Sequence, residues 1–103
     1  MWKVLFSTQA EKEVKALIKK GKLTPEDQEV IATWIKQIKE FGPDSLTVGS
    51  NFWYDHELFD NWKGHRSSAF SFKGRLIYKI KNKQIIVLVV KVTTDHDYSG
   101  GNK

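Results

Sequence analysis

The run from Gln84 to Val92 limits the possible folds more than any other stretch. Its core, Ile85-Ile86-Val87-Leu88-Val89-Val90, is apolar at odd and even positions alike. Both faces of such an element must therefore be covered. Its β-branched content, its length and the turn residues Asn82-Lys83 before it point to a strand and not to a buried helix. A strand covered on both faces belongs near the centre of a sheet. The next residues, Thr93-Thr94-Asp95-His96-Asp97-Tyr98, are polar. They bring an imidazole between two carboxylates, and then a phenol, to one sheet edge. The apolar run is too short to span a bilayer.

Two more strands precede this one. In Arg75-Leu76-Ile77-Tyr78-Lys79-Ile80-Lys81, the residues Leu76, Tyr78 and Ile80 share one face, and Arg75, Ile77, Lys79 and Lys81 the other. From Arg66, the residues Ser68, Phe70 and Phe72 alternate with Ser67, Ala69 and Ser71, and Lys73-Gly74 is a plausible hairpin turn. Near the N-terminus Trp2, Val4 and Phe6 alternate as a short strand, which is not the pattern of a signal peptide.

Two helices lie between. Ser7 and Thr8 offer N-caps, and Thr8 with Glu11 matches a capping box. Ala10, Val14, Leu17 and Ile18 form its apolar stripe, and Gly21 closes it. The second helix begins at Thr24-Pro25-Glu26-Asp27, a cap, a proline at the first helical position and two acids at the positive end of the dipole. Val30, Ile31, Trp34, Ile35, Ile38 and Phe41 form a wide stripe that Gly42-Pro43 stops. The short link makes a helix hairpin, and its joint apolar face needs the sheet as partner. Residues 42–61 show no clear periodicity. Phe52-Trp53-Tyr54 makes this segment too apolar for disorder, so it should pack across the domain with Leu58, Phe59 and Trp62 as anchors. The expected fold class is α+β: an N-terminal strand and helix hairpin packed on a small, mainly antiparallel twisted sheet, in one domain over residues 1–103.

Charge is unevenly placed. Residues 1–60 carry eight Lys/Arg against ten Asp/Glu, and residues 61–103 carry nine against two, a balance of +7. The strand half is the basic half, which suits a polyanion. RNA-binding candidates are Lys63, His65, Lys73, Lys79 and Lys81. The chain has no cysteine, which excludes disulfides and thiol chemistry and fits a reducing cytoplasm. No pair among His56, His65 and His96 has the spacing of a helical zinc motif, and the surrounding lysines and arginines would repel a cation. No metal or other cofactor is expected. Glycine-rich nucleotide loops and nucleophile elbows are absent from the sequence.

Phosphate chemistry suits the remaining groups. Arg66 and Arg75 can hold non-bridging phosphate oxygens. RNA carries its own nucleophile, the 2′-OH, so a base, an acid and cations suffice. His56 and His96 supply the first two, and Asp95 and Asp97 tune His96. Tyr98 caps the core or stacks a base.

The order of strand, helix hairpin, long loop, Trp62-Lys63-Gly64-His65-Arg66, Gly74-Arg75-Leu76-Ile77-Tyr78-Lys79-Ile80 and Thr94-Asp95-His96-Asp97-Tyr98 resembles the RelE/ParE toxin superfamily. Asp55-His56-x-Leu58 with Trp62-Lys63-Gly64-x-Arg66 and Leu76-Ile77-Tyr78-Lys79 resembles its YafQ-like branch. The resemblance implies a RelE-like fold and a metal-independent endoribonuclease that cuts mRNA in the ribosomal A site. It also implies a cognate antitoxin that wraps the toxin, with operator DNA reached only through that antitoxin. His56 and His96 match the loop and tail histidines, Arg66 matches the arginine of the Gly-x-Arg motif, and Tyr98 lies near the closing aromatic. Ala69 stands where that branch has another histidine, and Lys73, with Arg75 close by, where it has an acid. Two alternatives remain at this stage: a ParE-like inhibitor of DNA gyrase and a non-catalytic RNA-binding module.

Overall fold

The structure, a computed structural model, describes residues 2–49, 51–81 and 86–94. Its elements run β1 (Lys3–Phe6), α1 (Thr8–Lys19), α2 (Pro25–Phe41), a 3-10 turn at Pro43–Thr47, β2 (His56–Glu57), a second 3-10 turn at Asp60–Trp62, β3 (Arg66–Ala69), β4 (Arg75–Ile80) and β5 (Ile86–Thr93). The sheet order is β1-β5-β4-β3-β2. β1 is parallel to β5, and the other three pairings are antiparallel. This is the expected α+β arrangement, with β5 inside the sheet between β1 and β4.

Both helices start where the sequence says they should, with one correction. The cap of α1 is Ser7, whose side chain accepts from the Ala10 amide at 3.0 Å. Thr8 is the first helical residue, so the expected Thr8–Glu11 box does not form. In α2, Thr24 and Asp27 make a reciprocal box: the Thr24 hydroxyl accepts from the Asp27 amide, and the Asp27 carboxylate accepts from the Thr24 amide. Each satisfied end contributes about 1 kcal/mol.

The hairpin lies on one face of the sheet. Ala10, Ile31, Trp34 and Ile38 are buried there against Leu76, Tyr78, Val89 and Val92. Trp34 meets the Tyr78 ring edge-on at 5.4 Å. Val4 and Phe6 of β1, with Trp2 just before the strand, pack against this core, as their alternation predicts. Glu13 of α1 ties the helix to β5: it accepts from the Val92 amide at 2.8 Å and from Lys91 Nζ at 3.1 Å. That contact sits beside an irregularity in the β4–β5 ladder, where the register shifts between Ile77 and Tyr78.

Four apolar side chains read as buried point outward. Phe41, Phe59 and Phe72 are 72%, 61% and 91% exposed, and Ile18 is also exposed. Phe41 is the last helical residue and Phe72 lies in the bend after β3, beyond the reach of the periodicity that assigned them a face. The strand from Arg66 ends at Ala69, short of the alternation through Phe72.

The long segment is packed, as expected, with Leu58 and Trp62 among its anchors and Phe59 turned outward. Leu46 and Trp53 join the main core, while Leu58 with Ile77 forms a second small cluster, flanked by Trp62 and Val90, on the opposite sheet face. Gln37 of α2 holds the segment twice. It donates to the Ser45 carbonyl at 3.1 Å and accepts from Trp53 Nε1 at 3.2 Å.

Candidate active site

A buried carboxylate organises the edge of the sheet formed by β2 and β3. Asp55 directly precedes β2, and its side chain is fully buried. It accepts from Arg66 Nε at 2.7 Å, from Ser68 Oγ at 2.6 Å and from the Tyr78 hydroxyl at 2.5 Å. Side chains alternate along a strand, and residues opposite each other in a ladder share a face. Arg66 pairs with Tyr78, so both project to the helix-bearing face, where Asp55 meets them. Burial is the main reason the Tyr78 hydroxyl keeps its proton far above the ordinary tyrosine range. The Asp55 charge and bond add to this, and Arg66 opposes it. Partial burial pulls the Arg66 guanidinium down, and Asp55 more than offsets that, for a net upward shift.

One residue further along β2 the chain turns its side chain to the other face. His56 is exposed there, and its Nδ1 lies 2.9 Å from the Tyr54 carbonyl. Its ladder partner is Ser67, which in turn pairs with Ile77. On this same face Leu58, Ile77, Trp62 and Val90 form the small second cluster. His65 stands edge-on to Trp62 at 5.4 Å. The His56 imidazole thus stands at the rim of a sheet face that is apolar at Ile77 and basic around it.

No protein-family model matches the sequence, and no curated protein does. Solved structures do. YafQ from E. coli strain BL21(DE3) superposes with a TM-score of 0.73 at 23% identity, covering 97% of this chain and 100% of that one. YafQ in the E. coli DinJ–YafQ toxin–antitoxin complex gives 0.65 at 23% identity, over 96% and 98% of the two chains. The YoeB–YefM toxin–antitoxin complex from Staphylococcus aureus gives 0.64 at 19% identity, over 88% and 93%. The chain has the RelE-like toxin fold.

Within this RelE-like fold the sequence-assigned residues separate into three groups. His56, His65, Lys79 and Arg75 alternate onto the face away from the helices. Arg66 alternates onto the helix side, its Nε committed to Asp55 and its side chain one-third exposed. Lys63, Lys73 and Lys81 are exposed at the ends of the strands and in the connections. Arg75 folds back on its own turn: one terminal nitrogen donates to the carbonyls of Ser71, Phe72 and Gly74 at 2.8–3.2 Å. His96 and Tyr98, with Asp95 and Asp97, lie outside the described residues. Among the described residues no three His, Asp or Glu side chains gather as metal ligands would.

Thr93 of β5 pairs with Arg75, which pairs with Ala69 of β3, whose amide donates to the Trp53 carbonyl. The C-terminal end of β5 and the approach to His56 therefore share one end of the sheet. A cleft of about 470 Å³ opens there, lined by Phe52, Tyr54, Phe72 and Arg75 with Val30 of α2. Sequence reasoning missed Asp55 as the organiser and named it only within the Asp55-His56-x-Leu58 motif. One signal did point to it: Tyr78, facing inward on an apolar strand, needs an acceptor for its hydroxyl.

Proposed function

We propose that this chain is the toxin of a type II toxin–antitoxin pair, acting as a metal-independent endoribonuclease that cuts mRNA in the ribosomal A site. The observation that carries this reading is the likeness to YafQ along nearly the whole chain, together with an exposed histidine on the basic sheet half. In this reading the 2′-OH attacks the adjacent phosphorus and the 5′ oxygen leaves. His56 takes the hydroxyl proton or positions the group that does, and His96 protonates the leaving oxygen. Arg75 offsets charge on the phosphorane, Arg66 holds the Asp55 carboxylate that anchors the His56 loop instead of the phosphate role the sequence assigned it, and Tyr98 closes the site. Lys63, His65, Lys73, Lys79 and Lys81 hold the flanking backbone. The partners are a cognate antitoxin and the ribosome with its mRNA, in the cytoplasm, with operator DNA reached only through the antitoxin.

The test is cleavage on programmed ribosomes by the wild-type protein and by His56→Ala and His96→Ala variants. Each variant should lose about 10²–10⁴-fold in rate while keeping its fold and its antitoxin binding. Undiminished cleavage by His96→Ala would overturn the assignment of the acid. Inhibited supercoiling by gyrase with mRNA untouched would replace the nuclease with a ParE-like inhibitor. Tight RNA binding without cleavage would leave a binding module.

A further inference from the structure

We propose that Asn51 and Asp55 are positioning residues for His56, fixing its neutral ring as the Nδ1–H tautomer with Nε2 as the proton acceptor. The inference rests on the nuclease reading only for its catalytic consequence. A carbonyl oxygen can only accept, so the 2.9 Å contact between His56 Nδ1 and the Tyr54 carbonyl requires the proton on Nδ1. A neutral imidazole carries one such proton, so the Nε2 lone pair remains for a substrate hydroxyl. Free histidine favours the other tautomer. The preference must come from the loop.

The loop is built to supply it. Tyr54 has φ +48°, a left-handed conformation that bulky residues seldom adopt. Its amide donates to the Asn51 carbonyl at 2.9 Å. Asn51, itself at φ +53°, grips Asp55 with both ends of its amide: Oδ1 accepts from the Asp55 amide at 2.9 Å, and Nδ2 donates to the Asp55 carbonyl at 3.2 Å. On the N-terminal side the Trp53 carbonyl accepts from the Ala69 amide at 2.7 Å. On the C-terminal side the Asp55 carboxylate is held by Arg66, Ser68 and Tyr78. The 54–55 peptide is therefore fixed from both directions, and its carbonyl is the one beneath the ring. Strain at Tyr54 is sustained because its surroundings over-determine it. The Nδ1–H bond also survives protonation of Nε2, so the ring need not turn when it takes up a proton.

The test uses the full chain, labelled with ¹⁵N, and long-range ¹H–¹⁵N correlation at about pH 9, above the ordinary histidine range. Wild-type His56 should show a pyrrole-like Nδ1 and a pyridine-like Nε2. Asn51→Gly keeps a residue at ease with φ +53° and deletes the clamp. It should move His56 toward the Nε2–H pattern, with amide shifts outside residues 51–57 unchanged. On programmed ribosomes kcat should fall on the order of ten- to a hundredfold, with KM little changed. An Nε2–H tautomer in the wild-type protein would overturn the proposal, as would wild-type nitrogen shifts in Asn51→Gly. A clamp-dependent Nδ1–H tautomer in a protein that cuts no RNA would uphold the positioning and overturn the nuclease reading.

Discussion

Replacing Asp55 with alanine removes the acceptor shared by three donors, and its cost can be worked out donor by donor. The Ser68 and Tyr78 side chains are fully buried. A buried hydroxyl left without an acceptor costs about 1–3 kcal/mol. Arg66 is different, because its side chain is 33% exposed and can turn to water. Its lost ion pair is screened and adds little. The expected destabilisation is about 3–5 kcal/mol, a large share of the roughly 5–15 kcal/mol that holds a domain together. Urea unfolding followed by tryptophan fluorescence reads this directly. With a slope of about 1–3 kcal/mol per molar, the midpoint should fall by about 2 M. Tyr78→Phe alone should cost about 1 kcal/mol, since Asp55 keeps two donors. In the Asp55→Ala background the same change should be neutral or stabilising, because it deletes an orphaned hydroxyl. A loss below about 1 kcal/mol for Asp55→Ala, or an equal cost of Tyr78→Phe in both backgrounds, would refute the reasoning.

Burial, with the charge and bond of Asp55, raises the folded Tyr78 pKa, whereas in the unfolded chain the phenol ionises near its ordinary value of about 10. The unfolded state therefore holds fewer protons above about pH 10, and stability is lost as pH rises from there; thermal melts should show a shallower alkaline decline in Tyr78→Phe. Gly42 has φ +85°, and a Cβ placed on it would lie 2.8 Å from Trp2 Nε1. Gly42→Ala should cost about 1–3 kcal/mol in chemical denaturation. Glu13→Ala leaves the Val92 amide without its acceptor and should cost about 1–2 kcal/mol. Glu13→Gln should recover most of that, since the amide oxygen still accepts.

Local chemistry was legible in the residues. Thr24-Pro25-Glu26-Asp27 starts α2 because every signal in it acts within one helical turn. Gly42 ends the helix because the left-handed backbone needed there costs glycine nothing. The apolar run through Val92 read as an inner strand, since both its faces demanded cover and its β-branched residues and length favour a strand over a buried helix. The hairpin then had to lie on the sheet, and the family resemblance pointed to the same fold. Leu58 and Trp62 were legible as anchors of the long segment, but Leu46 and Trp53 were not, nor was the outward turn of Phe41, Phe59 and Phe72. Once periodicity ends, the face a side chain takes depends on which neighbours arrive. The same holds for the site. Asp55 meets Arg66, Ser68 and Tyr78, residues 11, 13 and 23 positions away, and no local pattern links them. The sequence by itself determined that His56 stands at the entry to the basic strands. Only the tertiary structure decided that Arg66 serves a buried carboxylate on one face while His56 is held on the other. The β2–β3–β4 ladder sets that division, because residues opposite each other share a face and successive residues do not.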